Sequence, residues 1–180
     1  SHGSFENYYQ AKQELFKRTT NIHVINVDDP NFELFSEFPA KRTIFYGIDR
    51  MADMLASKIK LDEDKVQFDI YGSHFNINLS GLFNIYNCLA ALATAAMYGI
   101  DLEKAKPGLQ SVQTVPGRME FIIKVPFKVV VDYAHTTDSL EQVYKTLKSS
   151  LGDSSKLICV LGACGGGRDT WKRPEFGRIA

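Results

Sequence analysis

The stretch FKVVVDYAHTTDSLEQVYKTLKSSLGDSSKLICVLGA, residues 127–163, decides the predicted fold class. Its first part, FKVVVDYA, is a nearly continuous β-branched run, which is typical of a strand buried on both faces of a parallel sheet. Its last part, KLICVLGA, predicts a second buried strand over residues 156–163. A strand, a helix and a second strand at this length form a right-handed βαβ unit, so the sequence predicts an α/β fold with a parallel sheet.

The segment between these two strands, residues 136–152, has the pattern of a helix. Asp138 and Glu141 have the spacing of a capping box, and Gly152 is a suitable stop. A two-stranded unit of this size buries little core by itself, so we expect this half of the chain to be poorly ordered or completed by another chain.

The carboxyl ends of the two predicted strands indicate a candidate site, because ligands gather at that edge of a parallel sheet. Asp132 and His135 follow the first strand, and a glycine loop follows the second. Polar groups there could contact a ribose or a phosphate. Turn chemistry around the helix cap is the alternative, and the residues alone favour neither.

Upstream of this unit the sequence predicts a separate set of helices and strands. Ser4 can cap a helix over residues 5–18, and Gly99 can stop an alanine-rich helix over residues 83–98. Strands are predicted within residues 21–29 and 42–48, a hairpin within 65–79 and a short helix within 101–112. We expect a domain boundary near Val115–Gly117, which divides the chain into residues 1–114 and 115–180.

The glycine loop, GACGGGRD at residues 162–169, has the outer glycine spacing of a nucleotide-binding P-loop. Arg168 and Asp169 replace the lysine and hydroxyl residue that such a loop needs for phosphates and Mg²⁺. A guanidinium on a glycine-lined loop suits a carboxylate instead. The alternative is a tight turn with exposed charges.

Lys12 lies on the same predicted helix arc as several aromatic residues of FENYYQAKQELF. Desolvation there would lower its pKa and leave a neutral amine that can react with carbon dioxide. The resulting carbamate would offer oxygen ligands to Mg²⁺. From the segment alone a snorkelling or ion-paired lysine is the favoured interpretation.

Three further polar residues are candidates. Asn84 and Asn87 share one helix face and could read an adenine edge, although capping and local backbone bonding are favoured from the residues alone. Arg118 follows a Pro-Gly turn and could reach a phosphate or ribose across a hinge.

The composition excludes several classes of function. Lys+Arg and Asp+Glu both count 21, which gives zero net charge and argues against a nucleic-acid partner. The three cysteines form no CxxC motif, as expected of a reduced intracellular protein. No apolar run reaches about 18 residues, so we expect no membrane insertion and a cytoplasmic location.

Six motifs follow one another in an order that resembles the Mur ligases, the ATP-dependent amino-acid-adding enzymes of peptidoglycan synthesis. They are HGSFENYYQAK, VINVDDP, GLFNIYNCLAA, VPGRMEF, VDYAHTTDSL and GGGRDTWKRP. Within the family they are most similar to the branch that adds a diamino acid. The resemblance implies the latter part of a central ATPase domain joined to the start of a Rossmann-like C-terminal domain.

The resemblance also implies the reaction. ATP phosphorylates the glutamate carboxylate of UDP-MurNAc-L-Ala-D-Glu, and the amine of meso-diaminopimelate or L-lysine attacks the acyl phosphate to form an amide. Mg²⁺ offsets charge on the transferring phosphate.

Site residues follow from the same resemblance. Lys12 corresponds to the carbamylated lysine that helps bind Mg²⁺, and Asn84 and Asn87 correspond to the asparagines near the adenine. Three groups correspond to those that close on the nucleotide, namely Arg118, Asp132 and His135. Arg168 corresponds to the arginine that contacts the incoming diamino acid.

Several features depart from the family pattern. Gly167 replaces the first aspartate of the usual G-G-D-R-D loop, and HTTD replaces HTPD. The G-T-N-G-K-[ST] phosphate loop and the later D-N-P-R motif are not in this sequence, so no catalytic set is complete. We therefore expect a fragment that is inactive by itself. The alternatives are a related ligase, such as cyanophycin synthetase or folylpolyglutamate synthase, and a non-catalytic nucleotide-binding module.

Overall fold

The computed structural model describes residues 4–152, 154–162 and 170–180 and shows a mixed α/β fold, which confirms the predicted class. The helices are α1 (Phe5–Arg18), α2 (Glu33–Ser36), α3 (Leu82–Met97), α4 (Leu102–Gln110), α5 (Thr137–Ser149) and α6 (Lys172–Ile179). The strands are β1 (Ile22–Asn26), β2 (Arg42–Gly47), β3 (Met54–Leu55), β4 (Ser57–Leu61), β5 (Val66–Ile70), β6 (Ser73–Ile77), β7 (Glu120–Ile123) and β8 (Val129–Val131).

A parallel sheet forms from β1, β2 and β3 in that order. Its register places Ile22 beside Arg42, and alternate side chains such as Ile25 and Ile44 are buried. An antiparallel sheet of β4, β5 and β6 follows it in the chain. The predicted hairpin is confirmed as β5 and β6, which pair from Val66–Ile77 to Ile70–Ser73.

The alanine-rich helix α3 forms the centre of the larger core. Its buried residues include Ile85, Leu89 and Leu92, and they belong to one cluster with Phe68 and Phe75 of the antiparallel sheet. The two phenylalanine rings are stacked with their centroids 5.2 Å apart. Alanines at the remaining contact positions let helix and sheets approach closely, so the composition of α3 accounts for its position.

Helix α3 ends where the sequence predicts. Gly99 has φ +80°, which favours glycine over residues with a Cβ. The amide of Ile100 donates to the Ala95 carbonyl and that of Gly99 to the Ala96 carbonyl, both at 3.0 Å. These two bonds are the Schellman arrangement that satisfies the last carbonyls of a helix.

The second half of the chain has a smaller core. Met119, Leu140, Val143, Tyr144 and Phe176 form a buried cluster that joins α5, α6 and the start of β7. Phe83, at the beginning of α3, is partly buried against this cluster. The first turn of α3 therefore contacts both halves of the chain.

The predicted βαβ elements of this half need correction. Strand β8 pairs antiparallel with β7, not with a parallel neighbour. The short connection between β7 and β8 supplies a local partner, whereas parallel pairing requires a long crossover. Residues 156–162 contain no strand, and Ile158 and Val160 are 86% and 99% exposed. Apolar composition alone did not produce a strand there, because no described strand lies beside this segment to pair with it.

The cap of α5 also differs from the prediction. Thr136 Oγ1 accepts from the Ser139 amide at 3.2 Å, and Ser139 Oγ accepts from the Thr136 amide at 3.0 Å. Thr136 and Thr137 are adjacent, so the exact first residue of the helix was ambiguous in the sequence. The bonded pair of Thr136 and Ser139 starts the helix two residues before the predicted Asp138. The helix ends at Ser149, before Gly152. None of the helices within the described ranges is long and apolar enough to cross a membrane.

We expect Gly99→Ala to lower the free energy of unfolding by about 1 kcal/mol, because alanine is strained at positive φ. Gly108→Ala is the matched control. It lies inside α4, and no atom lies within 4 Å of the position that its Cβ would take, so alanine there should stabilise by about 0.5–1 kcal/mol. Urea denaturation of both variants measures the difference, and equal effects would contradict the assignment of Gly99 as the helix stop.

Candidate functional site

A tight turn at Pro116 and Gly117 connects the two halves. The Arg118 amide donates to the Val115 carbonyl at 2.9 Å, and Gly117 has φ +68°. Proline followed by a residue with positive φ is the pattern of a type II turn. The Gly117 carbonyl accepts from the Tyr133 amide at 2.8 Å, so the turn is bonded to the segment that follows β8.

Arg118, Asp132 and His135, which the sequence predicted as site residues, are brought together around Tyr133. The Arg118 guanidinium carbon lies 5.3 Å from the Tyr133 ring centroid, and the His135 ring lies 5.1 Å from it. Asp132 Oδ2 accepts from the Met119 amide at 2.8 Å. Sequence reasoning missed Tyr133, although its position between Asp132 and His135 was a signal.

The chemistry of this group is set by those contacts. His135 Nδ1 lies 3.1 Å from the Tyr133 carbonyl oxygen, which can only accept, so Nδ1 carries the proton and Nε2 is left for another partner. The Arg118 and His135 side chains are exposed, while Asp132 is half-buried. The cluster therefore offers a cation, an imidazole nitrogen and a carboxylate oxygen to a ligand.

Asn84 and Asn87 are also brought together, but they differ in environment. Asn84 is 7% exposed; its Nδ2 donates to the Ser80 carbonyl at 2.7 Å and its Oδ1 accepts from Asn87 Nδ2 at 3.1 Å. Asn87 is exposed, and its Oδ1 accepts no bond from the described residues. Asn84 thus orients the Asn87 amide, and Asn87 is the one that presents an acceptor and a donor outward.

A cleft of about 200 Å³ lies between the two halves. Ser80 and Asn78 line it from the segment before α3, and Arg118 and Met119 line it from the other side. Of the predicted site residues, Arg118 lines the cleft directly. Asn84 and Asp132 do not line it, but each is hydrogen-bonded to a residue that does, Ser80 and Met119 respectively. The Ser80 hydroxyl is buried and has no hydrogen-bond partner within the described part of the chain.

Two ion pairs cross from the β4–β5 loop to the β7–β8 hairpin. Lys124 Nζ lies 3.4 Å from Asp64 Oδ2, and Lys128 pairs with Glu63. Asp64 and Lys124 also line the cleft. Exposed charges therefore join the two halves on one side of it.

Lys12 is exposed, and its ammonium lies 5.5 Å from the Tyr8 ring centroid. This exposure agrees with the snorkelling interpretation favoured from the segment alone and not with the desolvated alternative, because α1 packs through a face narrower than the aromatic arc. Tyr9 and Phe16 contact Phe35 of α2, while Tyr8 remains 41% exposed. The structure therefore places Lys12 on the exposed side of α1 and does not bring it together with the other predicted groups.

Two parts of the predicted site remain, the metal site and the contact to the diamino acid. Residues 4–152, 154–162 and 170–180 contain no group of three or more His, Cys, Asp or Glu side chains that could bind a metal ion. Arg168 lies outside the described residues.

Asp28, near the end of the strand predicted within residues 21–29, is a hydrogen-bond centre at the carboxyl ends of β1 and β2. Its Oδ2 accepts from the Ile48 amide at 2.6 Å, the Asp49 amide at 3.2 Å and the Tyr86 hydroxyl at 3.0 Å. Its Oδ1 accepts from the Arg50 amide at 2.8 Å. Partial burial pushes the pKa of Asp28 upward, but these hydrogen bonds outweigh it and the pKa lies below its ordinary value.

Two family models match the chain. Residues 1–95 match the Mur ligase middle domain, and residues 117–180 match the Mur ligase, glutamate ligase domain.

Curated relatives are similar over nearly all of the chain. UDP-N-acetylmuramoyl-L-alanyl-D-glutamate–2,6-diaminopimelate ligase 1 of Clostridium acetobutylicum is 40% identical over 99% of this chain. The corresponding ligase of Syntrophomonas wolfei is 41% identical over 99% of it. The chain spans 38% of the length of each of these relatives.

Solved structures share the fold. A UDP-N-acetylmuramoyl-L-alanyl-D-glutamate–2,6-diaminopimelate ligase superposes on the whole chain with a TM-score of 0.68 at 33% identity, and the match covers 39% of that ligase. MurF from Acinetobacter baumannii superposes on 84% of the chain with a TM-score of 0.76 at 23% identity, over 35% of its own length. MurF from Thermotoga maritima in complex with ADP gives a TM-score of 0.65 over 82% of this chain and 35% of that one, at 22% identity.

The unequal environments of the two asparagines predict unequal effects on stability. We expect Asn84→Ala to lower the free energy of unfolding by about 1–3 kcal/mol, because the buried Ser80 carbonyl loses its donor. Asn87→Ala should change it by at most about 0.5 kcal/mol. Urea denaturation of both variants measures this, and a larger cost for Asn87→Ala would contradict the assigned roles.

The lowered pKa of Asp28 predicts how stability depends on pH. The ionised carboxylate stabilises the fold above its unfolded pKa of about 3.9, and that contribution is lost as pH falls through the lower folded pKa. We expect Asp28→Asn to be less stable than the wild type near about pH 7, with the gap shrinking below about pH 4. Denaturation across this range measures the gap, with Asp138→Asn, at an exposed position of α5, as the control. A gap that stays constant in acid would refute the prediction.

Proposed function

This chain belongs to the Mur ligase family, and on that premise we propose that it forms part of an ATP-dependent ligase that joins diaminopimelate to UDP-MurNAc-L-Ala-D-Glu. The observation that carries the proposal is the 40–41% identity of nearly the whole chain to ligases named for this reaction. The match of the two halves to the middle and C-terminal domain families, with a cleft between the halves, agrees with this proposal. A UDP-linked substrate would place the reaction in the cytoplasm.

In this proposal the cleft between the halves is where the nucleotide binds. Asn87 supplies one acceptor and one donor on an exposed helix face, which fits the edge of an adenine. Arg118 lines the cleft, and His135 lies beside the Tyr133 ring that Arg118 contacts. Their exposed guanidinium and imidazole fit a phosphate or ribose. Asp132 binds the Met119 amide with one oxygen and leaves the other for a hydroxyl.

ATP would supply the phosphoryl group that activates the substrate carboxylate, and the described residues position it. The Arg118 guanidinium over the Tyr133 ring is restricted in its rotation, which lowers the entropy cost of binding an anion. We assign the residue boundary of the two domains to Val115–Gly117, where the type II turn lies.

Two roles rest on the family resemblance alone. Lys12 would bind Mg²⁺ as the carbamate that its amine forms with carbon dioxide. Arg168 would contact a carboxylate of the diamino acid. Diaminopimelate is chosen over L-lysine because the relatives are named for it.

We expect the full-length enzyme to release phosphate only when UDP-MurNAc-L-Ala-D-Glu and meso-diaminopimelate are both present. Asn87→Ala should raise the KM for ATP about 10-fold, because it loses two hydrogen bonds to the base, and leave the KM for diaminopimelate unchanged. Asn76→Ala, at an exposed asparagine of β6, is the matched control. Steady-state phosphate release measures both constants.

Three outcomes would count against the proposal. Activity with L-lysine in place of diaminopimelate would reject the assigned substrate, and activity with glutamate-rich acceptors alone would favour a folylpolyglutamate or cyanophycin ligase. No ATP-dependent activity with any acceptor would favour a non-catalytic module.

A further inference from the structure

We propose that Asp28 is a positioning residue for the nucleotide site: acting through Tyr86, it fixes the rotation of α3 and so the direction in which Asn87 faces. The ligand named here rests on the proposed function, whereas the effect on α3 does not. Asp28 does not line the cleft. It lies within the VINVDDP motif, but the resemblance assigns no site role to it.

The first observation is that one carboxylate joins three separate elements. Asp28 follows β1, the amides of residues 48–50 follow β2, and Tyr86 lies on α3. Four donors surround two oxygens, which nearly exhausts the acceptor capacity of a carboxylate. An ionised acceptor makes each of these bonds stronger than a neutral pair would be.

The second observation is the space made for this carboxylate. A Cβ on Gly47, the last residue of β2, would lie 3.0 Å from Asp28 Oδ2 and 2.8 Å from Val27 Cγ2. A side chain at this position would require Val27 or the Asp28 carboxylate to shift. Glycine at the end of β2 thus leaves room for the carboxylate beside the backbone.

The third observation is where Tyr86 lies on the helix. At 100° per residue, Asn84 and Tyr86 lie about 160° apart around α3, on either side of the buried face. Asn84 binds the Ser80 carbonyl on one flank, and Tyr86 binds Asp28 on the other. The apolar contacts between them, made by residues such as Ile85 and Leu89, have no preferred direction.

The Asn84 bond is local, because Ser80 leads directly into α3, whereas the Tyr86 bond reaches the end of β1. The Tyr86–Asp28 bond is therefore the directional contact that sets the rotation of α3 about its own axis. Asn87 lies on the exposed face opposite the core, one residue after Tyr86. Rotation by even a few degrees displaces its amide, and hydrogen bonds weaken steeply with misalignment. Loss of the Tyr86 hydroxyl should accordingly weaken adenine recognition without a large loss of stability.

The first experiment tests the geometry in this 180-residue chain without reference to activity. Tyr86→Phe removes only the hydroxyl, and residual dipolar couplings of the α3 amides relative to those of β5 and β6 report rotation of the helix. We expect the couplings of residues 82–90 to change in Tyr86→Phe and to stay unchanged in Tyr98→Phe, which alters an exposed tyrosine after the same helix. Unchanged couplings in Tyr86→Phe would overturn the inference.

The second experiment tests the consequence in the full-length ligase. We expect Tyr86→Phe to raise the KM for ATP about 3- to 10-fold and to lower the preference for ATP over GTP. The values of kcat and of the KM for diaminopimelate should stay within about two-fold. Asp28→Asn should show the same pattern more strongly, if it folds, and Tyr98→Phe should match the wild type.

The outcomes separate this inference from the proposed function. If the wild type is active and Tyr86→Phe has the same KM for ATP, the positioning role of Asp28 is overturned and the proposed function is not. Equal changes in both KM values, or a lower melting temperature without a kinetic change, indicate a merely structural bond and also overturn it. A wild type without ATP-dependent ligation overturns the proposed function, and the dipolar couplings then still decide whether Asp28 orients α3.

Discussion

The packing of α3 against two sheets is the constraint on which the rest of the structure depends. Its apolar side contributes Ile85 and Leu89, both fully buried, to a core shared with the parallel and the antiparallel sheet. Burial on this scale is the main favourable contribution to folding. The same helix begins with Phe83, which packs against the second core, and with the two asparagines. The same helix therefore stabilises the larger half and positions side chains near the cleft.

Features that arise from local sequence were predictable. The end of α3 at Gly99 and the hairpin of β5 and β6 follow from a glycine and from strict alternation, and both are confirmed. The strand expected at residues 156–163 depended on a neighbour that the pattern cannot reveal, and residues 156–162 contain none. Pairing is a property of two segments, so a β-branched run predicts only the tendency to form a strand.

The sequence predicted which residues form the candidate site but not which role each of them has. Spacing placed Asn84 and Asn87 on one face, yet only the fold buries the first and exposes the second. Asp28 was missed because its donors lie about 20 residues and about 60 residues further along the chain, beyond any local motif. The exposure of Lys12 agrees with the interpretation favoured from its segment, and the desolvated alternative does not hold, because periodicity gives the direction of a side chain and not the width of the packed face.

The link between the halves combines a stiff turn with ion pairs of low strength. Exposed pairs such as those of Lys124 and Lys128 contribute at most about 1 kcal/mol each, which is close to thermal energy. Dissolved ions screen such exposed pairs, whereas they affect the apolar contact of Phe83 with the second core and the Pro116–Gly117 turn far less. Of the connections between the halves, the charged one is therefore the most sensitive to ionic strength.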